Sequence, residues 1–278
     1  MTALAWGRRY LLCPPLHFGV LYEINPWMHR EVTVDVEAAE GQWRHLHDTL
    51  VAAGAEVETI AHVEGVPDLV FTANAGLLDA RAKRFVPSHF RHPERQPETE
   101  VFAAWFEAAG WDVARLPDVV VHEGAGDGLP FGGVLLSGYR PRSHAAAAPY
   151  LTDLLRVPVR PIELVDERLY HLDLTFCPLD DRRALCAPLG WDAYGTKVVE
   201  ALVPEPLWLE DDEALSFCAN SVVVGDVVVM PTCPPRVGRQ LEAWGFQVAV
   251  CPVDEFLKAG GGCRCLTLAL DVELSRPG

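Results

Sequence analysis

Apolar positions along the chain follow two periodicities that alternate, and the alternation itself recurs. Spacing of the helical kind over residues 42–53, 98–109, 145–155, 197–202 and 237–244 predicts five amphipathic helices. Short runs rich in β-branched and aromatic residues predict strands over 56–60, 84–87, 112–116, 133–137, 183–186, 227–230 and 247–250. A third kind of run is apolar but carries polar or reactive groups, and it predicts one middle strand per unit: 69–76, 119–127, 169–176, 214–221, and 266–270 after Gly260-Gly261-Gly262. The order of helix and strands returns five times at a spacing of roughly 45 to 50 residues.

Each middle run sets a polar or reactive group at a comparable point. Asn74, Glu123, His171 (with Asp173), Asn220 and Cys265 are separated by 49, 48, 49 and 45 residues. Five such units closed around an axis bring equivalent points to one central site. An ordinary α/β protein with accidental spacing is the alternative.

Composition narrows the class. At 278 residues and 50% hydrophobic content the chain has ample core for a globular fold, read here as one catalytic domain over 1–278. A formal net charge of −16 argues against nucleic acid and anionic membrane and favours a cationic partner. No run reaches the roughly 18 apolar residues of a membrane span. Arg8-Arg9-Tyr10-Leu11-Leu12-Cys13 has too short an apolar stretch for a lipoprotein signal, and eight scattered cysteines fit free thiols in a reducing cytoplasm.

Candidate chemistry starts at Gly260-Gly261-Gly262-Cys263-Arg264-Cys265-Leu266-Thr267. Three glycines admit close backbone approach, and a thiolate is a strong nucleophile near neutral pH; the other reading is a loop before a terminal strand. On an extended strand His171 and Asp173 would share a face, opposite Leu172 and Leu174. A histidine there can supply base and then acid. Glu123 ends a valine run and Asp127 follows between glycines; carboxylates match a planar guanidinium, although Asp127 also fits an Asx turn. Gly124-Ala125-Gly126-Asp127-Gly128 is no phosphate cradle, since it carries acids and opens no convincing helix. Cys263-x-Cys265 with His171 is weak as a zinc set, and a papain-like hydrolase places its cysteine near the other terminus.

Together, Pro67-Asp68-Leu69-Val70-Phe71-Thr72-Ala73-Asn74-Ala75-Gly76, Glu123-Gly124-Ala125-Gly126-Asp127, His171-Leu172-Asp173 and the late glycine–cysteine segment resemble the guanidino-group-modifying superfamily. This resemblance implies the pentein fold, a five-bladed α/β propeller of pseudo-fivefold ββαβ repeats. It implies Cys265 as nucleophile, His171 as acid and base, and Glu123, Asp127 and Asp173 as holders of a cationic guanidino substrate, with no metal or organic cofactor. Cys263 receives no role. Asn74, with the upstream Asn25-Pro26-Trp27-Met28, looks most like the arginine dihydrolase group, because a neutral amide both donates and accepts and suits arginine and citrulline alike. Asn25 is then a candidate substrate contact, and Arg91 a candidate for the substrate carboxylate; a turn before proline and a solvated loop cation are the other readings. Dimethylarginine hydrolysis, arginine deimination and a non-catalytic binding pentein are the alternatives. Arg276-Pro277-Gly278 follows soon after the catalytic segment, so a second, ornithine-processing domain is not expected. A homo-oligomer is compatible with all of this.

Overall fold

The structure, a computed structural model, describes residues 4–274, so Arg276-Pro277-Gly278 lies outside the described residues. In chain order the first part runs β1 (Arg9–Leu12), α1 (Val36–Ala52), β2 (Glu56–Thr59), β3 (Gly76–Asp79), β4 (Arg84–Pro87), α2 (Pro97–Ala108) and β5 (Asp112–Val113). The middle contains α3 (Gly124–Asp127), β6 (Gly128–Phe131), β7 (Val134–Tyr139), α4 (Ala147–Leu155), β8 (Val159–Glu163), β9 (Phe176–Pro178), β10 (Arg183–Cys186), α5 (Ala193–Leu202) and β11 (Glu205–Trp208). The last part adds α6 (Asp211–Leu215), β12 (Val222–Val224), β13 (Val227–Met230), α7 (Pro235–Ala243), β14 (Gln247–Val250), α8 (Asp254–Leu257) and β15 (Leu268–Ala269).

These strands form five three-stranded sheets, each with the same plan: an antiparallel pair, a crossover helix, and a third strand parallel to the central one. Four sheets are consecutive in sequence. The fifth joins the two ends of the chain, with Tyr10 opposite Ala269 on one side of β1 and Val57 on the other. This is the expected five-bladed α/β propeller with ββαβ units, but its phase differs from the pattern above. A sheet takes its helix and parallel strand from the following helix-first unit, because a parallel pair needs a crossover long enough to hold a helix. Strand β1 is not among the predicted strands, and it is buried on all but its first residue.

Local chemistry explains the boundaries. Asp35 caps α1 by accepting from the Ala38 N–H at 3.0 Å, and proline opens α2 and α7, where no intrahelical donor is lost. Gly132 and Gly133, both at positive φ, form the two-residue turn between β6 and β7 that the right-handed twist of a hairpin demands.

The expected middle strands are the main correction. Residues 69–76 form turns of 3₁₀ helix at Pro67–Val70 and Thr72–Ala75, and 169–176 form another at Leu172–Leu174. Gly124–Asp127 is one helical turn, so this glycine-rich segment does open a short helix. Residues 217–220 and 264–267 turn likewise, through Asn220 N–H to Phe217 O and Thr267 N–H to Arg264 O. A short buried apolar run carries no periodicity that separates strand from turn, and here the extended hairpin strand begins only after the reactive group. His171 and Asp173 therefore do not share a strand face.

Around the axis the five turns are stitched into a closed ring. Asn74 Nδ2 donates to Glu123 O (3.1 Å), Leu172 N–H to Asp127 Oδ1 (3.1 Å), and Asn220 Nδ2 to Asp173 O (3.1 Å). Cys265 N–H donates to Asn220 Oδ1 (3.2 Å), and Ala73 N–H to Cys265 O (3.1 Å), which returns to the first unit. Asn220 uses both ends of its amide, so Asn220→Ala leaves two buried groups unpaired. The expected loss is about 1–3 kcal/mol for each, read as a lowered urea midpoint, against under about 0.5 kcal/mol for Val119→Ala on the exposed surface.

Candidate active site

The glycine run passes closer to side chains than any Cβ permits. A methyl group on Gly260 would lie 2.9 Å from the Tyr170 hydroxyl, on Gly261 2.3 Å from the Phe71 ring, and on Gly262 2.7 Å from Asn220 Oδ1. Tyr170 in turn donates to Gly260 O at 2.8 Å. The run thus seats the following turn against the axis and delivers Cys265, almost wholly buried, into the ring.

Cys265 Sγ lies 3.4 Å from Asp173 Oδ2 and 3.2 Å from Asn220 Nδ2. The other Asp173 oxygen, Oδ1, is buried without a partner. Burial pushes the pKa of Asp173 up to about 7, against the pull of Arg264, the thiol and Asn220. Burial and the Asp173 charge push the Cys265 thiol well above its ordinary range. A cation placed between them would satisfy the free oxygen and favour the thiolate.

Next to this pair sits a second, fully hydrogen-bonded group. Glu123 Oε2 meets His171 Nε2 at 2.8 Å and Arg142 Nη1 at 2.9 Å, while Oε1 accepts the Arg91 N–H at 3.1 Å. Burial works to raise the Glu123 pKa, but Arg142, His171 and Arg95 outweigh it and hold the carboxyl well below its usual range. Burial lowers His171 to about 4 despite Glu123, so the imidazole is neutral near pH 7 and able to take a proton. Glu123 therefore orients His171, and both of its oxygens already accept hydrogen bonds within the protein. Asp127 is paired within the protein as well: Ser143 Oγ donates to Oδ2 (2.6 Å) and Leu172 N–H to Oδ1, so it braces the His171 segment from behind.

A cavity of about 10 Å³, room for one water, is lined by Asn25, Asp68, Phe71, Asn74, Arg95, Arg142, Tyr170 and Cys265 among others. Beyond it opens a vestibule of about 560 Å³ that includes Glu23, Arg91, His92, Arg140 and Glu167. Ile24, Asn25, Arg142 and Tyr170 line both spaces and form the partition. Asn25 is committed to the main chain, donating to Ala259 O (3.0 Å) and accepting from Trp27 N–H (2.9 Å), so it latches its loop to the glycine run. Arg91 lies in the vestibule, its Nε on Arg142 O at 3.2 Å. Asn74 is held by Arg95, which donates to Oδ1 at 3.0 Å and is itself clamped by Glu98 through two 2.7 Å bonds.

The ring thus assembles Asn74, Glu123, His171, Asp173 and Cys265, with Asn25 and Arg91 at the entrance. Arg142, Arg95, Glu98, Asp68, Tyr170 and Ser143 were not in the predicted set. Arg95 and Glu98 are three apart at a helix start, which in sequence looks like a solvated pair, and Arg142 sits in a loop of arginines and proline with no periodic signal. Cys263 points elsewhere, its thiol 3.4 Å from Cys251 O in the core. Among the described residues no cluster of His, Cys, Asp or Glu could hold a metal ion, and no helix is long and apolar enough to cross a membrane.

Comparison with known proteins decides the family. No protein-family model matches the chain. The bifunctional arginine dihydrolase/ornithine cyclodeaminase ArgZ of Synechocystis is 42% identical over 94% of this chain, and the N(G),N(G)-dimethylarginine dimethylaminohydrolase of Mycobacterium tuberculosis is 36% identical over 95% of this chain and 86% of its own length. This chain belongs to the guanidino-group-modifying pentein superfamily. It spans little more than a third, 37%, of the length of the bifunctional relatives. Among solved penteins, the N-terminal domain of ArgZ in a cysteine-to-serine form bound to substrate superposes with a TM-score of 0.91 at 40% identity, covering 96% of this chain and 99% of that one. A dimethylarginine dimethylaminohydrolase at 18% identity shares the pentein fold, with a TM-score of 0.80 over 94% of this chain and 99% of its own.

In this pentein Glu123→Gln leaves the buried Arg142 guanidinium without its carboxylate. The expected cost is about 3–5 kcal/mol in denaturant unfolding, most of it recovered in the Glu123→Gln/Arg142→Met double variant, where neither charge is left alone.

Proposed function

We propose that this chain hydrolyses the guanidino group of free arginine through a covalent intermediate on Cys265, and carries the reaction on to ornithine, carbon dioxide and two ammonia. The observation that supports this best is the buried pair of thiol and half-filled carboxylate, Cys265 with Asp173, facing an amide where another acid could stand, Asn74. Asp173 Oδ1 accepts an N–H of the guanidinium, and that positive charge lets the thiol release its proton to neutral His171. The thiolate attacks the guanidinium carbon; His171 returns the proton to the departing ammonia, and a thiouronium remains. His171 next takes a proton from water as the hydroxide adds to the same carbon, and collapse frees the sulfur and yields citrulline. Glu123 orients the imidazole and stabilises its transient charge. Every step is supplied by side chains and water, without metal or organic cofactor.

Asn74 is the residue that makes a second round reasonable. Arg95 and Glu123 O fix its orientation, so the second Nδ2 hydrogen is free to donate to the ureido oxygen of citrulline and the second lone pair of Oδ1 to accept from arginine. The substrate's amino-acid end fits the partition, where Arg142 and Arg91 meet its carboxylate and the unpartnered Asp68 Oδ1 accepts from its ammonium. An Asn-to-Ser form of the ArgZ domain was captured covalently bound to a reaction intermediate, which agrees with a covalent route. Free thiols at all eight cysteines fit a reducing cytoplasm.

A second reading, dimethylarginine hydrolysis, is favoured by a relative that this chain matches over most of both lengths, the dimethylarginine dimethylaminohydrolase of Mycobacterium tuberculosis. Separate incubation with arginine, citrulline, agmatine and dimethylarginine, with products identified by NMR and ammonia counted, separates the two. Ornithine with two ammonia per arginine is expected; dimethylamine released from dimethylarginine alone overturns the arginine reading. Cys265→Ser should abolish turnover, and Asn74→Asp should stop the reaction at citrulline. Because Asp173 must be ionised to accept the guanidinium, kcat/KM is expected to rise as pH climbs through about 7.

A further inference from the structure

Asn220, fully buried on the fourth turn of the ring, is held from three sides. Its Oδ1 accepts the Cys265 N–H at 3.2 Å, and its Nδ2 donates to Asp173 O at 3.1 Å and to Cys265 Sγ at 3.2 Å. The first two bonds decide which end of the amide is oxygen and which is nitrogen, because a main-chain N–H only donates and a carbonyl only accepts. One amide hydrogen goes to Asp173 O; the other is aimed at the sulfur. Gly262 makes the room, since a methyl group there would lie 2.7 Å from Asn220 Oδ1. Closing the ring accounts for the two main-chain links, but it asks nothing of the sulfur.

The two side chains that touch this sulfur act in opposite directions. Asp173 Oδ2, at 3.4 Å, accepts from the S–H and, once ionised, opposes a second negative charge beside it. Asn220 is neutral and only donates at this end, so its bond strengthens as the thiol loses its proton; a hydrogen bond to an ionised acceptor is roughly twice as strong as one to a neutral acceptor. Burial holds the thiol well above its ordinary range, and the Gly262 main chain and Asn220 both work against that rise. Tyr170, which also faces the sulfur, stays protonated through burial and donates elsewhere, to Gly260 O. We propose that Asn220 is a catalytic residue whose Nδ2–H stabilises the Cys265 thiolate. No proton leaves the amide. The thiol proton passes to His171, the freed electron pair on sulfur forms the bond to the guanidinium carbon, and the N–H holds the sulfur before that bond forms and again after it breaks. The inference rests on the role assigned above to Cys265. Because the same nitrogen also carries the Asp173 carbonyl, one group fixes both the nucleophile and the acid that receives the substrate.

The test compares Asn220→Ala and Ser221→Ala with the parent. Ser221 lies beside Asn220 and donates to Cys218 O at 2.6 Å, a buried bond that does not involve the sulfur, so its loss shows what a loosened turn does by itself. Three quantities are measured: the urea midpoint, kcat and KM for arginine, and the pH titration of the Cys265 thiolate, read as ultraviolet absorbance against Cys265→Ser in the same background. Both variants are expected to lower the midpoint. Asn220→Ala alone is expected to move the thiolate titration about one pH unit upward and to lose about tenfold in kcat, with KM within about threefold of the parent. A parental titration or a parental kcat in Asn220→Ala overturns the inference, as do equal losses in Ser221→Ala. The titration needs no turnover, so it judges Asn220 even where the arginine reading fails. Should Asn220→Ala not fold, Asn220→Leu fills the volume, lacks the same donor and is read in the same way.

Discussion

The hydrogen-bond ring around the axis is the constraint on which the molecule depends. Five sheets meeting at a point bring five chain turns into a buried space, where each main-chain N–H and C=O needs a partner. The turns satisfy one another: amides of Asn74 and Asn220, the Asp127 carboxylate and the Cys265 main chain carry the links from unit to unit and back to the first. Because every unit must supply a polar group to close the ring, the axis is polar by necessity, and a small change in one turn converts a structural amide into a thiol or a carboxylate. The chemistry is built from the same positions that hold the fold together.

Burial makes these groups powerful and also interdependent. Glu123 serves Arg142, His171 and the Arg91 main chain at once, and Asn74 is oriented by an arginine that Glu98 clamps from behind. Each polar group has a fixed direction before a ligand arrives, which is the condition for charge stabilisation without reorganisation. Asp173 Oδ1 and Asp68 Oδ1 are buried acceptors without a hydrogen-bond partner.

Five-fold recurrence was legible from the sequence because helical spacing is strong and because reactive residues returned at nearly constant intervals. Arg84–Pro87, Arg183–Cys186, Val227–Met230 and Gln247–Val250 are strands at the expected limits. The middle runs misled, since apolar content there reports burial at the axis and not extension. Site residues that lie on those turns were found by interval; Arg95, Arg142 and Ser143 were not, because they reach the axis from flanking segments whose spacing carries no signal. Asp127 and Glu123 were expected at the site; the partners that their oxygens have within the protein, Ser143 and the Leu172 N–H for one and His171, Arg142 and the Arg91 N–H for the other, carry no signal in the sequence. Strand β1 escaped notice because four residues near the start offer no period to read.

That strand sets the timing of assembly. Tyr10 is synthesised 259 residues ahead of its partner Ala269. At roughly 5–20 residues per second the ribosome needs about 13–50 s to make the intervening chain. Through that interval one edge of β1 has no strand to pair with, and the thiol that follows the glycine run does not yet exist. Nascent chains must keep that edge from pairing elsewhere, and each molecule gains its nucleophile in the same late step that closes its propeller.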